Sequence, residues 1–150
     1  MDSGADVVMS LAARLSRLAA LSLGFAVGSV RINDRGTTLV RQSGRVVAED
    51  LSLVAERLDD QVLSSGLPLT AVDLSALAGA VPPVQGSYVG VPIRADNRVV
   101  GVISLTDTVA REVGDEHLRV LVDFAQLLAE QFIADQLPLL PNLAGGRRSL

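Results

Sequence analysis

Three pairs of adjacent carboxylates are the residues of this 150-residue chain best suited to general acid–base chemistry: Glu49-Asp50, Asp59-Asp60 and Asp115-Glu116. Such chemistry requires carboxyl groups that converge in a cleft. Each pair is predicted to lie near a helix end or on the wet side of a helix. We therefore interpret all three pairs as solvated surface charge.

Nucleophilic and metal chemistry are restricted by the residue types present. The sequence has no cysteine, which excludes disulfides, thiolate catalysis and zinc–thiolate sites. All 13 basic residues are arginine, so no lysine is available for Schiff-base chemistry. His117 is the only histidine, and we predict that it is a solvated residue in the first turn of the last helix. We predict no catalytic residue, no metal site and no cofactor, beyond an unknown small ligand.

The net charge and the apolar pattern indicate the cellular compartment of the protein and the classes of partner that it does not bind. The formal net charge is −4, so the chain does not attract phosphate backbones, and with 3% aromatic residues it lacks a stacking platform for nucleic acid. The longest mostly apolar stretch, 18–30, is too short and too interrupted to span a bilayer. With no cysteine and no basic start typical of a signal peptide, we expect a cytoplasmic protein that binds neither nucleic acid nor membrane.

Apolar periodicity predicts the elements that position any site. The predicted order is helix, two strands, helix, short strand, loop, two strands and helix. The helices are predicted over 6–22, 50–64 and 115–137, and the strands over 25–32, 37–42, 69–72, 87–94 and 98–106. Pro138 ends the last helix, and 138–150 is predicted to be a flexible tail. Asp107 and Arg111 are predicted to contact each other and to hold the loop that leads into the last helix.

The last helix has an apolar face wider than packing on one sheet requires. One stripe is Leu118, Leu121, Ala125, Leu128 and Phe132, and the other is Val120, Phe124 and Leu127. The second stripe is covered either by a partner helix or by the first helix of the same chain, and the sequence leaves both possibilities open.

Two segments of the sequence resemble the GAF domain family. The letters YVGVPI at 88–93 and VVGVISLTD at 99–107 are similar to the late strand pair of that family, and Leu118 to Phe132 resembles its final helix. SGLPL at 65–69, followed by Val72-Asp73, is similar to the step into the family's third strand. The resemblance covers 6–137.

The resemblance implies an α+β fold. We expect an antiparallel sheet of five to six strands, with the N- and C-terminal helices on one face and a shorter helix and loops on the other. It also implies a small-ligand pocket and a homodimer formed by the terminal helices. The expected ligand-binding residues are polar residues on apolar strands: Ser29, Arg31, Tyr88, Arg94 and Ser104. The expected dimer interface is Leu11, Leu15, Leu18, Leu121, Leu128 and Phe132.

The sequence departs from three specialised branches of that family. The free methionine sulfoxide reductases and the covalent bilin carriers both use cysteine, which is absent here. The cyclic-nucleotide binders carry Asn-Lys at the end of the late strand, where this chain has Asp107-Thr108. We therefore expect a non-catalytic sensory or regulatory module that binds a small ligand or a signalling protein. The alternative is a ligand-free dimerisation module whose pocket is filled.

Overall fold

The described part of the chain forms three α-helices and five β-strands in the order that the sequence predicts. The computed structural model describes residues 3–34, 36–77 and 84–136, and the predicted tail over 138–150 lies outside them. The helices are α1 (Ser3–Leu23), α2 (Glu49–Ser65) and α3 (Asp115–Gln136). The strands are β1 (Val27–Asp34), β2 (Thr37–Gly44), β3 (Leu69–Ala71), β4 (Ser87–Ala95) and β5 (Arg98–Asp107).

The five strands form one antiparallel sheet in the order β2-β1-β5-β4-β3. Helices α1 and α3 pack on one face, and α2 packs on the other. Asp96 and Asn97, both at positive φ, form the two-residue turn between β4 and β5, as suits a tight hairpin. The predicted α+β fold class is confirmed. Within the described residues, no helix combines the length and apolar character needed to cross a membrane.

The larger core lies between the sheet and the two long helices. Alternate residues of the central strands, such as Val30, Ile103 and Leu105, point toward α1 and α3 and are fully buried. Helix α1 approaches β1 so closely that a Cβ at Gly28 would collide with the backbone of Ser16. Glycine at that position is what allows the helix to lie directly on the strand.

Most of the residues predicted for the dimer interface lie in the core of a single chain. Leu15, Leu121, Leu128 and Phe132 are buried in the core of a single chain, and Leu11 is partly buried against the same core. Buried side chains contribute no new apolar area to an interface with a second copy. Of the predicted set, only Leu18 is exposed, at 45%.

The apolar residues that remain exposed on the terminal helices form a different set. The more exposed of them are Val7, Leu18, Leu21, Val122 and Leu127. In the second stripe of α3, Val120 and Phe124 are partly covered, whereas Leu127 remains 47% exposed. The first helix therefore covers this stripe only in part.

A smaller core lies between α2 and the strands β4 and β5. It combines Leu51, Leu58 and Val62 of the helix with Tyr88 and Val102 of the sheet. Helix α2 contacts β4 and β5 extensively, and β1 and β2 lie beyond its main contacts. Among the residues that the structure describes, no helix therefore covers the α2-side face of β1 and β2.

Candidate ligand-binding groove

An open groove lies between α2 and the strands β1 and β2. It has two chambers that share part of their lining. The loop chamber, about 230 Å³, extends toward the loop 45–47 that joins β2 to α2. The strand chamber, about 290 Å³, extends along β2 past Thr38 and Val40. Both chambers are lined by Ser29, Gln42, Glu56 and Asp59, so these four residues form the waist of the groove.

The register of the strands explains why the sheet side of the groove, its floor, is polar. Ser29 of β1 is paired with Gln42 of β2 and with Ser104 of β5, and Ser104 is in turn paired with Gly90 of β4. These four residues therefore form one row across the sheet. Their side chains share the α2 face because partners across an antiparallel pair point the same way. Hydroxyl and amide groups, which both donate and accept hydrogen bonds, therefore lie side by side under the waist.

Helix α2 provides the opposite wall of the loop chamber. Its groove-facing residues recur at helical spacing beside the apolar stripe that packs on β4 and β5. They are Ser52, Ala55, Glu56 and Asp59. One helix therefore holds the second core with one stripe and lines the groove with the next.

Asp59 is a buried carboxylate at the waist, only 5% exposed. The hydroxyl of Tyr88, itself fully buried, donates a hydrogen bond to Asp59 Oδ1 at 2.6 Å. The Tyr88 ring lies over Gly90, where a Cβ would collide with the phenol oxygen. The glycine in the YVGVPI segment therefore makes room for the tyrosine to reach the helix.

Arg31 connects β1 to the same turn of α2. Its guanidinium donates to Asp60 Oδ1 at 2.5 Å and to the carbonyl oxygen of Glu56 at 3.3 Å. It also lies 3.7 Å from Asp59 Oδ2. Arg31 is thus a partly buried cation that offsets part of the negative charge of the two neighbouring carboxylates and ties the helix to the sheet.

The environment of Asp59 raises the pKa of its carboxyl group. Burial disfavours the charged form and raises the pKa of Asp59 above its ordinary value of 3.8. The hydroxyls of Tyr88 and Ser104 and the charge of Arg31 oppose that shift in part. Burial, followed by the nearby Asp59 carboxylate, raises the pKa of Tyr88, which therefore stays protonated and remains a donor.

The structure brings four of the five sequence-predicted ligand-binding residues together. Ser29, Arg31 and Ser104 line the groove, and Tyr88 lies beside it in contact with Asp59. Arg94 lies elsewhere, since its guanidinium donates to the carbonyl oxygen of Gly66 at the C-terminal end of α2 at 2.7 Å. That contact satisfies a helix-end carbonyl and adds a positive charge where the helix dipole is negative.

The sequence analysis missed Asp59 and placed it on the wet side of its helix, which is wrong. Only its neighbour Asp60 is exposed, with 69% of its side chain accessible. The available signal was the polar stripe Ser52, Glu56 and Asp59, which recurs at spacings of four and three beside the apolar stripe. Gln42, Arg45 and Thr106 also line the groove and were not predicted.

A charge cluster lies beside the loop chamber at the end of β5. Asp107 is buried and accepts hydrogen bonds from the Thr108 backbone N–H at 2.7 Å and from Arg111 Nε. The predicted contact between Asp107 and Arg111 is therefore present. The Arg111 guanidinium lies 5.4 Å from the centre of the Phe25 ring, and Arg45 lies 3.7 Å from Asp107 Oδ1.

Comparison with solved structures identifies the fold. A GAF domain/HD domain protein from Geobacter sulfurreducens superposes with a TM-score of 0.67 at 19% identity, covering 87% of this chain and 94% of that one. Free methionine-R-sulfoxide reductase from Neisseria meningitidis, solved with its substrate, gives 0.62 at 15% identity, covering 83% and 77%. At these identities the likeness concerns the fold alone.

Comparison of sequences gives a relative and a family. The Nif-specific regulatory protein of Azorhizobium caulinodans is 32% identical over an alignment of 89 residues, and the match covers 51% of this chain. The chain spans 14% of the length of that relative. The family model described as "GAF domain" matches residues 5–132. Because that match covers most of the sequence and the fold agrees with it, the chain belongs to the GAF domain family.

Proposed function

We propose that this protein is a non-catalytic sensory or regulatory module that binds a small ligand in the groove between α2 and β1–β2. The observation that carries the proposal is the waist of the groove. There, Ser29 and Gln42, with Ser104 beside them in the loop chamber, present hydrogen-bonding groups to an open space, under a helix that also packs on the core. Binding sites of this kind combine a few convergent polar groups with a pre-formed concavity.

The size of the loop chamber points to a compact ligand. The loop chamber, at about 230 Å³, is smaller than typical drug-sized sites of roughly 300–1,000 Å³. A regulatory rather than catalytic role is supported by the absence of cysteine, lysine and a second histidine from the sequence. The relative named as a Nif-specific regulatory protein supports the same role.

Transmission through the terminal helices is the second part of the proposal. Leu18, Leu21, Val122 and Leu127 leave exposed apolar surface on α1 and α3, the helices that cover the far face of the sheet. We propose that a homodimer forms on this surface and passes the signal to a partner protein in the cytoplasm. The alternative is a ligand-free dimerisation module, which the small volume of the loop chamber favours.

Native mass spectrometry of freshly purified protein separates these functions. A bound small molecule that is lost on denaturation supports the sensory module, whereas a dimer without added mass supports the dimerisation module. A monomer without added mass contradicts both.

A pair of variants on one helix assigns the binding site. Ser52→Leu places a larger side chain in the loop chamber, whereas Ser64→Leu makes the same change at an exposed position of α2 outside the groove. Leucine favours helix more than serine, so both variants should fold. Ligand retention should be lost in Ser52→Leu and kept in Ser64→Leu. Equal retention in the two variants would place the ligand elsewhere.

A further inference from the structure

The loop chamber has its basic residue at one end and its acidic residues at the other. Among the described residues that line it, Arg45 is the only basic one, and Glu56 and Asp59 are the acidic ones. Arg45 lies in the loop that leads into the first turn of α2, and Ser52 lies in that turn. With a rise of about 1.5 Å per residue, Glu56 lies about 6 Å and Asp59 about 10 Å beyond Ser52 along the helix axis. The chamber is therefore polarised along its length.

Arg45 is weakly held in the position that the structure shows. Its side chain is 72% exposed, and its ion pair with Asp107 is 3.7 Å long, beyond hydrogen-bond distance. Its backbone is fixed, since its N–H donates to the carbonyl oxygen of Ala26 at 2.9 Å. The guanidinium thus has free donors on an anchored backbone at the mouth of the chamber.

Asp107 does not depend on Arg45. Its carboxylate already accepts from the Thr108 backbone N–H and from Arg111 Nε. When Arg45 turns away, the buried carboxylate therefore keeps two hydrogen-bond donors, one of them charged. Removing only this long ion pair, whose arginine is exposed, changes stability little, because such pairs contribute on the order of 0–1 kcal/mol.

We propose that Arg45 selects the ligand of this groove by binding an anionic oxygen group, a carboxylate or a phosphate, at the loop end of the chamber. The inference rests on the proposed ligand-binding function and gives its ligand a chemical class. A guanidinium binds either group through two parallel N–H···O bonds. The hydroxyls of Thr106 and Ser52 lie on the floor and wall of the same chamber and supply further donors. The acidic waist then favours a hydrogen-bond donor at the ligand's other end.

Titration of the ¹⁵N-labelled 150-residue chain with sodium acetate, and separately with sodium phosphate, tests the proposal at constant ionic strength maintained with chloride. Saturable shifts are expected at the amides of Gly44, Arg45, Ser52 and Thr106. Arg45→Gln should weaken the affinity at least tenfold for the better-bound anion. Arg57→Gln, the same charge change at an exposed position of α2 outside the groove, should change it less than twofold.

A second variant separates charge from geometry. Arg45→Lys keeps the charge but lacks the two-pronged guanidinium, so its affinity should fall between those of the wild type and Arg45→Gln. Because Arg45 is exposed, both variants should melt within about 2 °C of the wild type. Equal anion affinity in the wild type and Arg45→Gln would overturn the proposal, as would shifts that do not saturate. Preference for acetate or phosphate identifies which anion the site accepts.

Failure of this inference is distinguishable from failure of the proposed function. A neutral compound that binds the wild type, loses its binding in Ser52→Leu and binds Arg45→Gln with unchanged affinity leaves the groove as a ligand site and refutes anion selection. If no anion or compound binds in a way that Ser52→Leu abolishes, both fail.

Discussion

The hydrogen bond from Tyr88 to Asp59 should contribute measurably to stability, and Tyr88→Phe removes it with little other change. The ring keeps its place over Gly90, but Asp59 loses the Tyr88 hydroxyl as a donor at 2.6 Å while 95% of the Asp59 surface stays covered. A hydrogen bond to a charged group contributes about 1.5–3 kcal/mol to the free energy of unfolding. For a domain of this size, that corresponds to a melting temperature lower by roughly 3–12 °C.

Urea unfolding followed by far-ultraviolet circular dichroism is the suitable assay, because Tyr88 is the only tyrosine and the chain has no tryptophan. The double-mutant cycle with Asp59→Ala isolates the pair. In the Asp59→Ala background the tyrosine hydroxyl has no carboxylate partner, so adding Tyr88→Phe should be neutral or stabilising. A coupling energy below about 0.5 kcal/mol would refute the view that this bond holds α2 on the sheet.

Three further predictions follow from the same contacts. Because the pKa of Asp59 is raised in the folded state, the unfolded chain releases this proton first as pH rises through about 3.8, and folding stability then falls until the folded pKa is passed. The melting temperature of Asp59→Asn relative to the wild type should therefore increase from pH 4 upward and then level off, and a flat difference would contradict the shift. Asp107→Ala removes the acceptor for Thr108 and Arg111 and should lower the free energy of unfolding by about 1–3 kcal/mol; an unchanged melting temperature would show that these contacts contribute nothing. The double variant Leu18→Glu/Leu127→Glu should stay folded, since both residues are about half exposed, and it should abolish a dimer formed on α1 and α3. The control variant Leu53→Glu, on α2, should leave that dimer intact. Light scattering after size exclusion measures the oligomeric state of both variants, and a dimer that persists in the double variant would place the interface elsewhere.

The backbone elements were predictable because each has a local signal. Gly66 ends α2 in the left-handed conformation, and Asp73 accepts a hydrogen bond from the Ser75 N–H at the short 3-10 turn that follows β3, both as their residue types indicate. Boundaries were less accurate where no local signal exists. The first strand begins at Val27 rather than at residue 25, so Phe25 is not part of its alternation and lies in the core beneath α1.

The predicted ligand residues came together where the sheet register required it. Ser29 and Ser104 are cross-strand partners, so the same α2-side face carries both hydroxyls. Arg94 follows a register shift between residues 93 and 94 of β4 and lies near the end of the strand, beside the end of α2. Strand parity could not indicate this displacement, because a bulge depends on how two strands pair and not on the composition of one.

The groove itself depends on how α2 is positioned, and that is a tertiary property. A helix placed centrally over a five-stranded sheet would cover β1, but α2 is held over β4 and β5 by Leu58 and Val62 and by the hydrogen bond from Tyr88 to Asp59. Arg31 of β1 bridges the space between strand and helix only where it bonds to Asp60 and to the carbonyl oxygen of Glu56. The contacts that fix the helix off-centre therefore also keep the groove open beside it. A ligand that binds at the waist would touch Asp59, the residue through which helix and sheet are joined, and it would shift the position of α2 to the extent that it binds one position more tightly than another.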